Sequence, residues 1–159
     1  MTESERLFEQ VYRTYGPSLY RFCLLQMKNP ADAEDVLQEV FCKRLYRAPA
    51  FASPDHERRW LFRVALNQCR DAWKRSSRSD LPLEAASAAV TPEELGLLDH
   101  VAALPEPQRT AIHLHYYEGY SAPEIAGLLH RNVNTIYTWL GRAKALLRTA
   151  LEEGGGEDG

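Results

Sequence analysis

Three times in this chain a small capping residue stands directly before a proline: Asn29-Pro30, Ser53-Pro54 and Thr91-Pro92. An Asn, Ser or Thr side chain accepts from an amide left unpaired in the first turn of a helix. Proline fits the next position because it has no N–H to lose and its φ is already helical. Thr91 also has Glu94 three residues on, the spacing of a capping box. Helices are predicted to start at these points, and strand-like alternation appears nowhere at length. The first half parses into helices over about Ser4–Tyr15, Pro17–Lys28, Pro30–Arg47 and Pro54–Arg75. Leu7/Val11, Leu37/Phe41/Leu45 and Leu61/Ala65 supply their apolar stripes.

From Ser76 to Val90 the run SSRSDLPLEAASAAV loses aromatics and periodicity and reads as a flexible linker. Beyond it, Thr91–Ala103, Pro105–Tyr117, Ser121–Leu129 and Asn132–Glu152 form a second helical module, followed by a disordered acidic tail over 153–159. The expectation is an all-α chain of two small domains, 1–75 and 91–152, joined by the linker 76–90. Within the second, Ser121 and Glu124 have capping-box spacing, and Ile125, Leu128 and Leu129 make a short apolar stripe. His130-Arg131-Asn132 interrupts it, and Asn132 suits the cap of a following helix. There Ile136, Leu140, Ala143 and Leu147 share one face at helical period, opposite Asn134, Thr138, Gly141, Arg142 and Arg148. Two helices joined by a three-residue turn, the second with an amide-, hydroxyl- and arginine-bearing face, make a helix-turn-helix suited to the DNA major groove. From this segment alone, an ordinary helical hairpin with a solvated face fits as well.

Bulk charge does not account for nucleic-acid binding, since the 159 residues carry a formal net charge of −3. The distribution is uneven, however. Lys43, Arg44, Arg47, Arg58, Arg59, Arg63, Arg70, Lys74 and Arg75 gather in the first half, and Arg131 to Arg148 contains no acidic residue, giving two basic surfaces for one polyanion. No apolar run is long enough to insert in a membrane. The acidic N-terminus MTESERLFEQ lacks the layout of a signal peptide, so cytoplasmic residence is expected. Cys23, Cys42 and Cys69 are odd in number and widely spaced within helical patterns, which reads as buried free thiols. No cofactor is implied.

Three separate motifs carry a resemblance to a known family. The run Asp32-Ala33-Glu34-Asp35-Val36-Leu37-Gln38-Glu39-Val40-Phe41, then Trp60-Leu61-Phe62-Arg63-Val64-Ala65-Leu66-Asn67 and Asp71, resembles the promoter-melting domain of bacterial sigma factors. Leu104-Pro105-Glu106-Pro107-Gln108-Arg109, leading through Tyr117-Glu118-Gly119-Tyr120-Ser121 to Glu124-Ile125-Ala126, resembles their C-terminal domain. Order, spacing and linker are similar to the two-domain extracytoplasmic-function (ECF) sigma factors, over about Leu7 to Leu151.

The resemblance implies a transcription initiation factor that is not itself an enzyme and takes no small-molecule substrate. Its partners would be core RNA polymerase and promoter DNA, and it admits an anti-sigma factor as a third. Asp35, Gln38 and Glu39 share one exposed helical face, which in the family docks on a coiled coil of the polymerase largest subunit. Arg58, Arg59, Trp60, Arg63, Asn67, Arg70 and Lys74 combine cations with an aromatic face, as a melting strand requires. The preceding loop, Ala48–His56, falls where the family captures an unstacked minus-ten base, and Phe51 is its aromatic residue. Trp60 fits a core anchor as well as a strand contact.

Arg131, Asn132, Asn134, Thr135, Tyr137, Thr138 and Arg142 fall where the family reads the minus-thirty-five element. The chain departs from the family here, with Tyr137 and Trp139 where relatives carry a lysine and an arginine, and Arg131 at a usually apolar turn position. Two other classes compete. A metalloprotein built on Asp99, His100, His113, His115 and His130 is disfavoured because His113 and His115 straddle opposite sides of a helix. A degenerate sigma-like or helix-turn-helix regulator that binds polymerase or DNA without initiating stays open.

Overall fold

The computed structural model describes residues 2–75 and 99–156, all of them helix, turn or connecting loop. The 76–90 segment, the Thr91 helix start and the last three residues lie outside the described residues. The chain divides into two compact units, Met1–Ala86 and Ser87–Gly159.

The first unit is a three-helix bundle of α1 (Glu3–Met27), α2 (Pro30–Arg47) and α3 (Pro54–Arg75). Thr2 and Glu5 close a reciprocal capping box at the start of α1. Lys28 ends α1 in the left-handed region at φ 60°. Asn29 then accepts from the Ala31 and Asp32 amides at 2.9 and 3.2 Å, so the cap–proline pair starts α2 as predicted. Ser53 does the same for α3, accepting from the His56 amide at 3.0 Å. Leu19, Phe22 and Cys23 of α1 meet Val40 and Phe41 of α2 and Leu61, Phe62, Ala65 and Cys69 of α3 in a closed core. Phe22 and Phe62 pack edge to face at 5.5 Å between centroids.

Three local expectations are corrected. The predicted break between Ser4–Tyr15 and Pro17–Lys28 does not occur, and α1 runs through Pro17. Proline removes the bond to the Arg13 carbonyl, but Pro17 and Arg13 are both exposed, while Val11, Leu19 and Phe22 keep one buried face across the interruption. Burial on the inner side outweighs the loss on the outer. Leu7 and Leu45 are about half exposed and outside the core their stripes suggested. Cys42 is exposed as well, and Cys23 and Cys69 are buried free thiols.

In the second unit residues 99–102 are helical, followed by α4 (Glu106–Ile112), a π-helical turn at His113–Tyr117, α5 (Ala122–Leu129) and α6 (Val133–Gly156). The expected helix Pro105–Tyr117 thus changes pitch after Ile112. The Glu118 amide donates to the His113 carbonyl at 3.2 Å, five residues back, and Gly119 completes the turn at φ 80°. The wider turn brings the buried His113 Nε2 and Glu118 Oε2 to 3.1 Å, a pairing that holds the carboxylate inside the unit. Arg109, also buried, donates to the Leu104 carbonyl at 3.0 Å, so this part of the Leu104–Arg109 motif locks the entry to α4. α6 continues to Gly156, four residues past the expected helix end at Glu152. Among the described residues no helix is long and apolar enough to cross a membrane.

Candidate nucleic-acid interface

Helical phase sorts the charged residues of α2. Val36, Leu37, Val40 and Phe41 are buried, which turns Asp35, Gln38 and Glu39 outward together. These three line a groove of about 550 Å³, with Gln68, Ala72 and Arg75 of α3 on its other side. Arg75 belongs by composition to the basic cluster, and its place in an acidic groove follows from the α3 phase of 68, 72 and 75.

On α3, Trp60, Arg63, Asn67, Arg70 and Lys74 recur at steps of three, four, three and four, and all are half-buried or exposed. They form one stripe about 21 Å long, at 1.5 Å per residue. The same phase sets Arg58 apart from it, while Arg59, four residues before Arg63, lies at its edge. The Arg58 guanidinium lies 5.7 Å from the Phe62 ring centroid, and Arg59 pairs with Asp55 at 3.1 Å. Tyr15 donates to the Pro54 carbonyl at 3.4 Å, and burial, then the Glu57 carboxylate, raises its phenol above the usual range.

Phe51 is not a free aromatic. Its ring meets Trp60 at 5.6 Å and His56 at 5.3 Å, both edge-on, and the Arg44 guanidinium sits over it at 5.1 Å. Arg44 is itself held by Glu57, with Nη2 and Nε at 2.6 and 2.7 Å from Oε2. Trp60 is half-buried and joins this cluster to the stripe, which places it between the core and strand-contact alternatives. Sequence reasoning missed His56 and Glu57, and placed Arg44 only in the basic cluster, without its pairing to Glu57 or its place over Phe51. A serine followed three residues later by a polar side chain was the available signal at His56, and no local pattern marks the Arg44–Glu57 pair.

The helix-turn-helix is built as its caps predict. Ser121 accepts from the Glu124 amide at 3.2 Å while Glu124 accepts from the Ser121 amide at 2.9 Å. His115 Nδ1 lies 2.7 Å from the Tyr120 carbonyl, which requires the proton on Nδ1 and fixes the approach to Ser121. His130 turns the chain at φ 56°, and the Arg131 amide closes on the Ala126 carbonyl at 3.0 Å. Asn132 Oδ1 accepts from the Asn134 amide at 2.8 Å, so that oxygen is committed to the cap of α6. Ile136, Leu140 and Ala143 are buried, whereas Arg131, Asn134, Tyr137, Thr138 and Arg142 are exposed on the outer face. Thr135 and Trp139 are half-buried on the flanks. Thr138 bonds back to the Asn134 carbonyl at 3.0 Å. Ser121→Ala is expected to cost about 1 kcal/mol, read as a lower melting temperature of the second unit, because it removes one half of the capping box.

Residues 11–79 match the family model of sigma-70 region 2, and residues 95–147 match that of sigma-70 region 4. The RNA polymerase sigma-E factor of Streptomyces avermitilis is 29% identical over 152 residues, covering 91% of this chain and 85% of its own. The ECF RNA polymerase sigma factor SigX of Bacillus subtilis is 26% identical over 165 residues, covering 93% and 85%. The chain belongs to the ECF sigma factors. A solved structure of CnrH in complex with the cytosolic domain of CnrY is similar, with a TM-score of 0.70 and 28% identity over 94% of this chain and 90% of that one. The sigma factor RpoE of Bartonella quintana, solved with the anti-sigma factor NepR, has a TM-score of 0.74 at 20% identity over 91% and 96%, a likeness of fold. As an ECF sigma factor the chain places the acidic groove and the basic-aromatic stripe in its region 2 unit, and the exposed face of α6 in its region 4 unit.

Proposed function

We propose that this ECF sigma factor binds core RNA polymerase through Asp35, Gln38 and Glu39, opens the minus-ten element along the Trp60–Lys74 stripe, and anchors the minus-thirty-five element on the outer face of α6. The observation that carries the reading is the α3 stripe. Cations and an amide spaced along about 21 Å of helix, headed by an aromatic ring, suit a strand that is losing its stacking partners. Bond formation belongs to the polymerase, and the sigma factor supplies position. The work is done in the cytoplasm, where polymerase and chromosome meet. An anti-sigma factor is a third partner, as NepR is for the Bartonella protein.

On α6, Tyr137 takes an exposed position without adding a cation, so upstream affinity rests on Arg131, Arg142 and the polar row between them. With so few phosphate contacts, binding to the minus-thirty-five duplex is expected to have a shallow salt dependence, measured as the slope of log K against log salt. Run-off transcription with purified core polymerase on the promoter of the protein's own operon tests the whole reading. A start-site-specific transcript that depends on added protein supports initiation. Polymerase binding with no transcript supports the regulator that does not initiate.

A further inference from the structure

The start of α3 holds a contact that the function above does not use. Ser53 caps the helix by accepting from the His56 amide at 3.0 Å. In a capping box the third helical residue would reach back to the amide of Ser53. Here the imidazole of His56 reaches one residue farther, and its Nδ1 accepts from the Ala52 amide at 3.0 Å. An acceptor Nδ1 is an unprotonated one, so the ring is neutral with its proton on Nε2. The residue tied down in this way is the neighbour of Phe51. The Phe51 ring then meets His56 at 5.3 Å and Trp60 at 5.6 Å, at interplanar angles of 87° and 65°. Trp60 is four residues after His56 on the same helix face and heads the basic stripe.

We propose that His56 is the positioning residue of the minus-ten loop: its Nδ1 fixes Ala52, and through Ala52 it sets the Phe51 ring against Trp60 so that the loop meets the displaced base preformed. Arg44, clamped by Glu57, covers Phe51 from α2, so the ring is held from two helices and the loop is ordered before DNA arrives. Preorganisation of this kind removes an ordering cost from the binding step and sharpens discrimination between bases more than it changes total affinity. The inference rests on the reading of this loop as the minus-ten reader.

The test uses the full-length protein with core polymerase and measures transcription from a cognate promoter against the same promoter with substituted minus-ten bases. His56→Ala is expected to lower the ratio between them about fivefold, the effect of one lost hydrogen bond, with polymerase affinity nearly unchanged. His56→Asn places an amide oxygen where Nδ1 was and is expected to restore the ratio. His56→Gln places its oxygen near the Nε2 position and is expected not to. Unchanged discrimination in His56→Ala, or equal rescue by Asn and Gln, overturns the positioning role. Phe51→Ala on the same templates separates the role of His56 from the role of the loop. If it is defective while His56→Ala is not, only the role of His56 falls. If it too discriminates normally, the loop does not read DNA and both fall.

Discussion

Trp60→Ala combined with Arg63→Ala is expected to reduce open-promoter formation about 100-fold while leaving polymerase binding intact. Loss of one base–aromatic stack costs about 1–3 kcal/mol, and loss of a charge-assisted phosphate contact adds to it. At 1.4 kcal/mol per factor of ten the pair reaches that range. Both side chains are half-buried on the outer face of α3, away from the Phe22–Phe62 contact at the centre of the bundle, so the fold should survive. Trp60→Ala also withdraws the ring against which Phe51 packs, which makes it the more damaging half of the pair. Arg63 has its own signature. If it tracks a phosphate of the melted strand, its removal lowers the slope of log K against log salt by about 0.7. Permanganate footprinting reads the opening, and a pull-down with core polymerase reads the binding. Loss of both in the same variant would refute the division of labour between α2 and α3, and opening at the normal rate would remove the stripe from the mechanism.

Residues that act on their own neighbourhood were the legible ones. Asn29, Ser53 and Ser121 each satisfy amides two or three positions away, so their meaning is contained in a few letters of sequence, and each helix begins where they indicate. The buried stripe Ile136–Leu140–Ala143 is legible for the same reason, since a single helix sets its phase. What the sequence concealed depends on a second element. Pro17 reads as a break until the opposite face of α1 is known to be buried against α2 and α3. The widened turn at His113 is set by a buried pairing with Glu118, which periodicity does not express. Phe51 reads as a free loop aromatic because its partner Arg44 and the clamp Glu57 come from different helices. Arg58 and Arg59 are the instructive middle case. Composition puts them in one cluster with Arg63 and Arg70; helical phase, available from the sequence, separates Arg58 but leaves Arg59 beside Arg63, where it pairs with Asp55.

Glu39→Lys is expected to weaken association with core polymerase about tenfold at about 0.1 M salt, equivalent to 1.4 kcal/mol, with a smaller deficit as salt rises. Asp35, Gln38 and Glu39 stand outward on α2 because Val36, Leu37, Val40 and Phe41 are committed to the core, so a change at Glu39 leaves packing alone. Surface charge at a rim acts mainly on encounter rate and register, and reversing it places like charges together where opposites had met. The deficit should therefore appear in the association rate, with dissociation changed less. Glu39→Gln removes the attraction without adding repulsion and should fall between the wild type and Glu39→Lys. The groove these residues share with Arg75 gives an internal control, because Arg75 is exposed on its opposite wall and adding a lysine there leaves that wall's own charge in place. Stopped-flow titration of labelled protein into core polymerase at two salt concentrations separates the rates. An affinity unchanged at low salt would take the α2 face out of the interface, and a tenfold loss that persists at high salt would mean that Glu39 acts through shape or a buried contact rather than through its charge.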